Sequence, residues 1–448
     1  MKEQYKRFIN IIAIVIAIAF EAVSFGYVWF NIYVPQIGWS FFRRGHWAVI
    51  GLYIMFVVLL THTFDGYKLS YMRLRDIILS NIPAILIGGA AGYIEVCLVA
   101  VYYFSPLPIV KLCLIQTAFI VLWAYLTRKI YVALYPPRDL LLIYGSYPYQ
   151  HITDKLTERK DRYIITEKLS VDSDIETIND RIMAHNAVLL ADLPDEERNR
   201  IIKYCCANSV RVYVTPKISD IMFRGGEEIH LFDTPLFLLR NNGIPADRLF
   251  FKRLMDIVSA LAGCVLLSPI LIIVAAAVKL YDGGPVLYTQ ERLTRDGRIF
   301  KMYKFRSMRV DAEKYGARLA AKGDPRITPV GRVIRQLHVD ELPQLFNILK
   351  GDMSLVGPRP EREQIAKEYE ENMPEFRLRL KVKAGLTGYA QVYGQYKSTP
   401  YDKLKLDLIY IANYTLFLDV KIILLTLKIL FVRENTEGVD ADKRTALK

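Results

Sequence analysis

The 448-residue chain is 52% hydrophobic yet 23% charged, with a formal net charge of +13, a mean hydropathy of +0.19 and a pI near 9.3. Such apolar content excludes an ordinary soluble domain and fits a membrane protein with sizeable aqueous parts; anionic lipid and phosphate-bearing substrates account for the basic surplus. No basic motif with interleaved aromatics argues for nucleic acid, and the five cysteines have neither the context of a disulfide framework nor the spacing of a zinc site.

Apolar runs over residues 8–34, 46–63, 78–104 and 107–125 each approach the roughly 20 residues that cross a bilayer. Residues 1–135 therefore read as a four-helix transmembrane module. The first run follows Lys2, Lys6 and Arg7, is too long for a signal-peptide core and ends without a small-residue cleavage pattern, so an anchor is expected. Lys68, Arg73 and Arg75 after the second run, with Arg128 and Lys129 after the fourth, place both ends of the module in the cytoplasm; Arg43 and Arg44 count the other way. Glu21 and Glu95 would each cost about 2.5–3.5 kcal/mol at mid-membrane. They read as buried contacts between helices or as markers of a lipid path.

After Tyr135-Pro-Pro137 the pattern becomes short apolar strands alternating with polar helices: strands at 140–144, 163–166, 187–191 and 210–214, helices at 175–184 and 195–206. Residues 138–245 are thus expected to form a Rossmann-like βαβ domain. Its first turn, Gly145-Ser-Tyr-Pro-Tyr149, has a single glycine, and the bulky residues with Pro148 would keep a pyrophosphate off the backbone. Dinucleotide binding is not expected there.

The linker 241–247 leads to an apolar run over 257–280, broken at Ser268-Pro269. A mid-helix proline costs about 3 kcal/mol and frees a carbonyl that Ser268 can satisfy. Basic residues on both flanks, Lys252 and Arg253 before, Lys279, Arg292, Arg295 and Arg298 after, keep both flanks on one side. A re-entrant membrane helix over 252–281 is expected instead of a fifth span. Near the C-terminus, residues 404–432 are apolar but interrupted by Asp407, Asp419, Lys421 and Lys428, as in one or two interfacial amphipathic helices.

Between these lie Asp340 and Glu341, just ahead of Pro343, with Arg335 before them and Arg359 in a Gly357-Pro-Arg-Pro360 turn after them. A carboxylate pair cannot hold phosphate without a cation between, so the set suggests phosphoryl transfer with a divalent metal, the carboxylate being metal ligand or nucleophile. Tyr303-Lys-Phe-Arg-Ser-Met308, Asp324-Pro-Arg-Ile-Thr-Pro-Val-Gly331, the dyad, Gly357–Pro360 and Lys383-Ala-Gly-Leu-Thr-Gly388 occur in an order that resembles the monotopic phosphoglycosyl transferases, over residues 248–432.

That resemblance implies a mainly helical catalytic domain over 248–448 that moves a sugar-1-phosphate from a UDP-sugar to a membrane polyprenyl phosphate, with Asp340 as nucleophile, Glu341 as a ligand of Mg²⁺, and Lys304, Arg335 and Arg359 on phosphate. It also implies the Ser-Pro break, a regulatory or assembly role for the domain before it, and a bacterial inner-membrane location with cytoplasmic soluble domains. Three positions depart from the family pattern: His338 and Val339 stand where a small hydroxyl residue and leucine are usual, and Ala384 replaces a proline. His338 invites a general-base role or a packing one. A catalytically silent membrane scaffold is the alternative. A conventional glycosyltransferase is disfavoured, because Asp172-Ser-Asp174, an Asp-x-Asp, precedes a helix and reads as a cap. The sequence leaves the sugar unnamed, and a homodimer stands beside a monomer.

Overall fold

Four stretches too apolar for a solvated face become α1 (Tyr5–Val28, extended by a wide turn to Tyr33), α2 (Gly45–Thr63), α3 (Leu74–Ala100) and α4 (Leu107–Leu134), each long and apolar enough to cross a membrane. The computed structural model describes residues 5–37, 44–145, 149–239, 243–309, 324–394 and 398–430. Lys2, Arg43, turn residues 146–148, linker residues 241 and 242, and positions beyond 430 lie outside the described residues. Helix α4 runs past the expected residue 125 because hydropathy marks a lipid crossing, not the end of a hydrogen-bonded helix. Inside the bundle Phe25 stacks on Tyr53 at 3.9 Å, and Tyr53 OH donates to Gln116 Oε1 at 2.9 Å. Glu21 and Glu95 are both buried within it, away from lipid.

The chain divides into two units, Met1–Lys217 and Ile218–Lys448. In the first, the helices are followed by β1 (Arg138–Tyr144), α5 (Gln150–Thr157), β2 (Tyr163–Ser170), α6 (Ile175–Ala184), β3 (Ala187–Ala191), α7 (Asp195–Ala207) and β4 (Arg211–Val214). The strands form one parallel sheet in the order β2-β1-β3-β4. Its central strands are covered on both faces, which is why they read as unbroken apolar runs: Leu141, Ile143, Val188 and Leu190 pack with Ile178 of α6 and Ile201 of α7, and Leu142 and Leu189 pack with Ile152 and Leu156 of α5. Helix α5 was not foreseen, since those two are its only apolar residues. Asp174 caps α6, its side chain accepting from Glu176 N at 3.2 Å, as the Asp-Ser-Asp reading expects.

The second unit opens with α8 (Ile218–Arg224) and the hairpin β5 (Glu227–Leu231)–β6 (Thr234–Leu238), then α9 (Ala246–Leu266) and α10 (Ser268–Asp282). These two helices meet at a 63° bend. Pro269 lies in the first turn of α10, where a missing N–H does no harm, and Ser268 Oγ donates to Val265 O at 2.8 Å. The antiparallel hairpin β7 (Leu287–Leu293)–β8 (Ile299–Phe305) follows. Then come α11 (Pro329–Gln336), α12 (Gln344–Lys350), β9 (Ser354–Val356), α13 (Glu363–Asn372), a 3-10 helix (Pro374–Lys381), β10 (Gly385–Thr387) parallel to β9, α14 (Tyr389–Tyr393), α15 (Pro400–Ala412) and α16 (Leu416–Leu430).

The apolar stretch expected over 404–432 is thus a helix pair. Its acids differ from the expected solvated polar face: Asp407 takes Arg379 at 2.9 Å and Asp419 takes Lys252 at 2.7 Å, with all four side chains buried. Buried cations on neighbouring elements need those partners.

Candidate active site

Alternation along β8 puts Lys304 on the same face as Phe300 and Met302, both buried, so its ammonium ends a core-facing row. That strand is clamped from beyond its hairpin. Asn347, buried on α12, donates from Nδ2 to Lys301 O at 2.8 Å and accepts from Tyr303 N at 2.9 Å, as a third strand would.

Helix α11 begins at Thr328, whose hydroxyl accepts from Gly331 N at 2.8 Å, and it carries Arg335 in its last turn. A Cβ on Gly331 would stand 1.9 Å from Ser307 O, so only glycine allows this helix start against the end of the β8 segment. The chain then turns at His338, with φ +55°, into a single 3-10 turn, Val339–Glu341. Pro343 stands immediately before α12, which begins at Gln344. The dyad therefore occupies a tight turn between two helices. His338 acts as the left-handed corner of that turn, and its Nδ1 is buried without a hydrogen-bond partner among the described residues.

Glu341 Oε1 accepts from Lys304 Nζ at 2.6 Å and from Arg359 Nη2 at 2.9 Å. Burial pushes the Glu341 carboxyl upward, but the Arg359 and Lys304 charges outweigh it and hold it well below the usual carboxylate range. Asp340 goes the other way: burial, then the Glu341 charge, raise its carboxyl against the pull of Lys304, Arg335 and His338. The two adjacent carboxyls are shifted in opposite directions.

Arg359 is placed by two strands too close for side chains. Gly357 N donates to Thr387 O and Gly385 N to Pro358 O, each at 2.9 Å, and a Cβ on Gly385 would lie 2.1 Å from Gly357 N. Arg379 Nη2 then donates to Arg359 O at 2.9 Å. Ala384, where a proline is usual, keeps an N–H that donates to Thr294 Oγ1 at 3.2 Å; proline could not.

A cleft of about 240 Å³ is lined by Lys304, Glu341, Gln344, Arg359 and Arg292. Arg292 was counted in the sequence only as a basic flank, yet β7 turns it into the cleft, where it donates to Pro360 O at 3.2 Å and to Gln290 Oε1 at 2.7 Å. Burial lowers its guanidinium to about 10, with Glu361 opposing. Its two-residue periodicity on a strand was the signal available. Lys304, Glu341 and Arg359 thus meet directly, Arg335 acts on Asp340 through its charge, and Ser268 and Pro269 contribute to the helix bend instead. No group of three metal-ligating side chains occurs among the described residues. Mg²⁺, however, keeps several waters and takes one or two carboxylates beside substrate phosphates, a donor set that ionised Glu341 with Asp340 matches.

Residues 247–433 match the family model described as bacterial sugar transferase. The chain is 39% identical over 247 residues to a UDP-N-acetylgalactosamine-undecaprenyl-phosphate N-acetylgalactosaminephosphotransferase of Aeromonas hydrophila, covering 54% of this chain and 58% of the relative. It is 42% identical over 203 residues to a UDP-glucose:undecaprenyl-phosphate glucose-1-phosphate transferase of Klebsiella pneumoniae, covering 44% and 42%. With a Bacillus subtilis (strain 168) protein named "Putative undecaprenyl-phosphate N-acetylgalactosaminyl 1-phosphate transferase" the identity is 49% over 132 residues, 30% of this chain and 74% of the relative. The chain otherwise spans about half the length of the curated relatives it matches.

Proposed function

We propose, from the premise that this chain belongs to the bacterial sugar transferase family, that it transfers a sugar-1-phosphate from a UDP-sugar to undecaprenyl or another polyprenyl phosphate. The observation that carries this reading is the split dyad: Glu341 held ionised between Lys304 and Arg359, beside an Asp340 whose carboxyl is raised. Neighbouring carboxylates pushed apart in this way take different roles.

Asp340 attacks the phosphorus that bears the sugar. An Asp340 Oδ–P bond forms as the P–O bond to UMP breaks, giving an aspartyl-phosphosugar. An oxygen of the lipid phosphate then attacks the same phosphorus, the Asp340 bond breaks, and the carboxylate is restored with the sugar in a lipid-linked diphosphate. Glu341 would hold Mg²⁺, which neutralises diphosphate charge when bound. Lys304, Arg335, Arg359 and the cleft residue Arg292 stabilise charge on the phosphate oxygens.

The 63° pair α9–α10 serves this chemistry best as a re-entrant anchor that dips into one leaflet and keeps the dyad at headgroup level, since one substrate is soluble and the other is a lipid. The parallel β2-β1-β3-β4 sheet of the first unit supports a doubly wound, Rossmann-like reading of that domain, which serves regulation or assembly. The soluble parts face the cytoplasm of a bacterial inner membrane, and the product begins an exopolysaccharide, capsule or O-antigen.

The test is UMP release from membranes supplied with polyprenyl phosphate, Mg²⁺ and a panel of UDP-sugars, beside Asp340→Asn. UMP from one donor, lost in the variant, supports the reading. UDP in its place means that the glycosidic bond is the one broken, and the mechanism fails.

A further inference from the structure

Four guanidinium groups crowd the place where the membrane helices hand over to the parallel sheet within the first unit. Arg73 precedes α3 and Arg128 lies near the end of α4, while Arg159 and Arg162 come from the turn between α5 and β2. Glu158 pairs with Arg73, and Asp161 pairs with Arg128 and, at 3.2 Å, with Arg159. Backbone oxygens take two more donors: Met72 O from Arg128 at 3.3 Å and Tyr71 O from Arg159 at 2.6 Å.

Arg162 is left over. Its guanidinium sits 5.2 Å from the centre of the Tyr131 ring and 5.9 Å from that of Tyr71. Its side chain is 10% exposed, and Asp161 Oδ2 is 4.0 Å from its Nε, outside hydrogen-bond range. Arg162 Nε and Nη2, and Arg159 Nη2, are buried donors with no partner among the described residues. Burial, then the Arg162, Arg128 and Arg73 charges, lower the Arg159 guanidinium below its usual range.

Four cations against two carboxylates, with three buried N–H donors unmatched, lack an anion. A water could accept a hydrogen bond but not offset the charge. Since Arg73 precedes α3 and Arg128 lies near the end of α4, both long and apolar enough to cross a membrane, the deficit lies at one end of those helices, where guanidinium forks would match the phosphate oxygens of headgroups. We propose that Arg73, Arg128, Arg159 and Arg162 form a phosphate-binding site at the membrane surface, separate from the dyad, taking a lipid headgroup phosphate or a free phosphate. Its occupant ties the sheet domain to the transmembrane helices.

The full chain, purified in detergent, is titrated with phosphatidylglycerol, phosphatidylcholine and inorganic phosphate, with bound lipid counted by native mass spectrometry and unfolding followed by heat. Phosphatidylglycerol binds and raises the unfolding temperature, and phosphatidylcholine does neither. Arg73→Gln weakens binding about five-fold and Arg162→Gln by more, while Glu158→Gln, which frees Arg73, tightens it. If inorganic phosphate reproduces the shift and displaces the lipid, the occupant is a free phosphate; if only the anionic lipid acts, it is a headgroup. Should Arg162→Gln fail to fold, the opposed effects of Arg73→Gln and Glu158→Gln, both at partly exposed positions, decide the matter. Binding indifferent to both, or absent for every anion, overturns the proposal.

Discussion

Lys252 Nζ meets Asp419 Oδ2 at 2.7 Å across 167 positions of chain, both side chains out of water. The same ammonium donates to Val356 O at 2.9 Å, and Tyr410 OH donates to Asp419 Oδ1 at 2.7 Å. Val356 immediately precedes the turn that carries Arg359, so the pair anchors a side of the cleft. Lys252→Ala leaves a buried carboxylate without its counter-charge and is expected to cost about 3–5 kcal/mol, read as a lower denaturation midpoint. The double change Lys252→Met with Asp419→Leu recovers most of that loss.

The pH dependence of UMP release has a worked sign. In the proposed mechanism Asp340 attacks as the carboxylate, and its carboxyl is raised by burial and by Glu341, so kcat/KM is expected to climb with pH along a limb above the ordinary value of about 3.9. Glu341→Gln removes a raising charge and moves the limb to lower pH. Arg335→Gln removes a lowering one and moves it to higher pH. Because the folded value is raised, stability falls as pH rises through it, so Asp340→Asn unfolds at a higher temperature than the parent at neutral pH.

Chelation tests Glu341. Removing Mg²⁺ with EDTA is expected to abolish UMP release, and added Mg²⁺ restores it. Glu341→Gln lowers kcat by about 10²–10³ and raises the Mg²⁺ concentration needed for half-maximal rate. An unchanged Mg²⁺ requirement in this variant would remove Glu341 as the ligand.

Gly331→Ala sets a methyl 1.9 Å from Ser307 O. The backbone must move, at about 1–3 kcal/mol, and thermal denaturation measures the loss. Arg335 rides on the same short helix, so the pH limb of the variant shifts upward as well.

Much of this was legible in the sequence because it depends on local pattern. The four spans follow from apolar length, the strands at 187–191 and the helix at 175–184 from turn punctuation, and the dyad with Lys304 and Arg359 from motif order. What stayed hidden depends on contacts between distant residues. Asn347 looks like an ordinary polar residue in a short helix, yet it completes the edge of β8 from 46 positions away. Asp407 and Asp419 read as surface charges because nothing local reveals that Arg379 and Lys252 wait inside. Arg292 stayed hidden because strand periodicity can set its face but not the distant Pro360 that it meets in the cleft.

The bend between α9 and α10 is open to labelling. Single cysteines at Asp247 and Asp296, in a chain whose native cysteines are serine, are expected to react from the same side of sealed vesicles. Reaction from opposite sides means a kinked span and a dyad on the far side of the membrane.

The pairing of Lys252 with Asp419 also sets a clock. A chain made from its N-terminus at roughly 5–20 residues per second needs about 8–33 seconds to add the 167 residues between them. Throughout that interval the growing polypeptide holds a lysine without its counter-charge and an Arg359 turn without its anchor. The Arg359 turn thereby waits for its support until α16 has been synthesised, and a nascent chain stalled before that helix carries the cleft residues Arg292, Lys304, Glu341 and Arg359 yet lacks the anchor that fixes the turn.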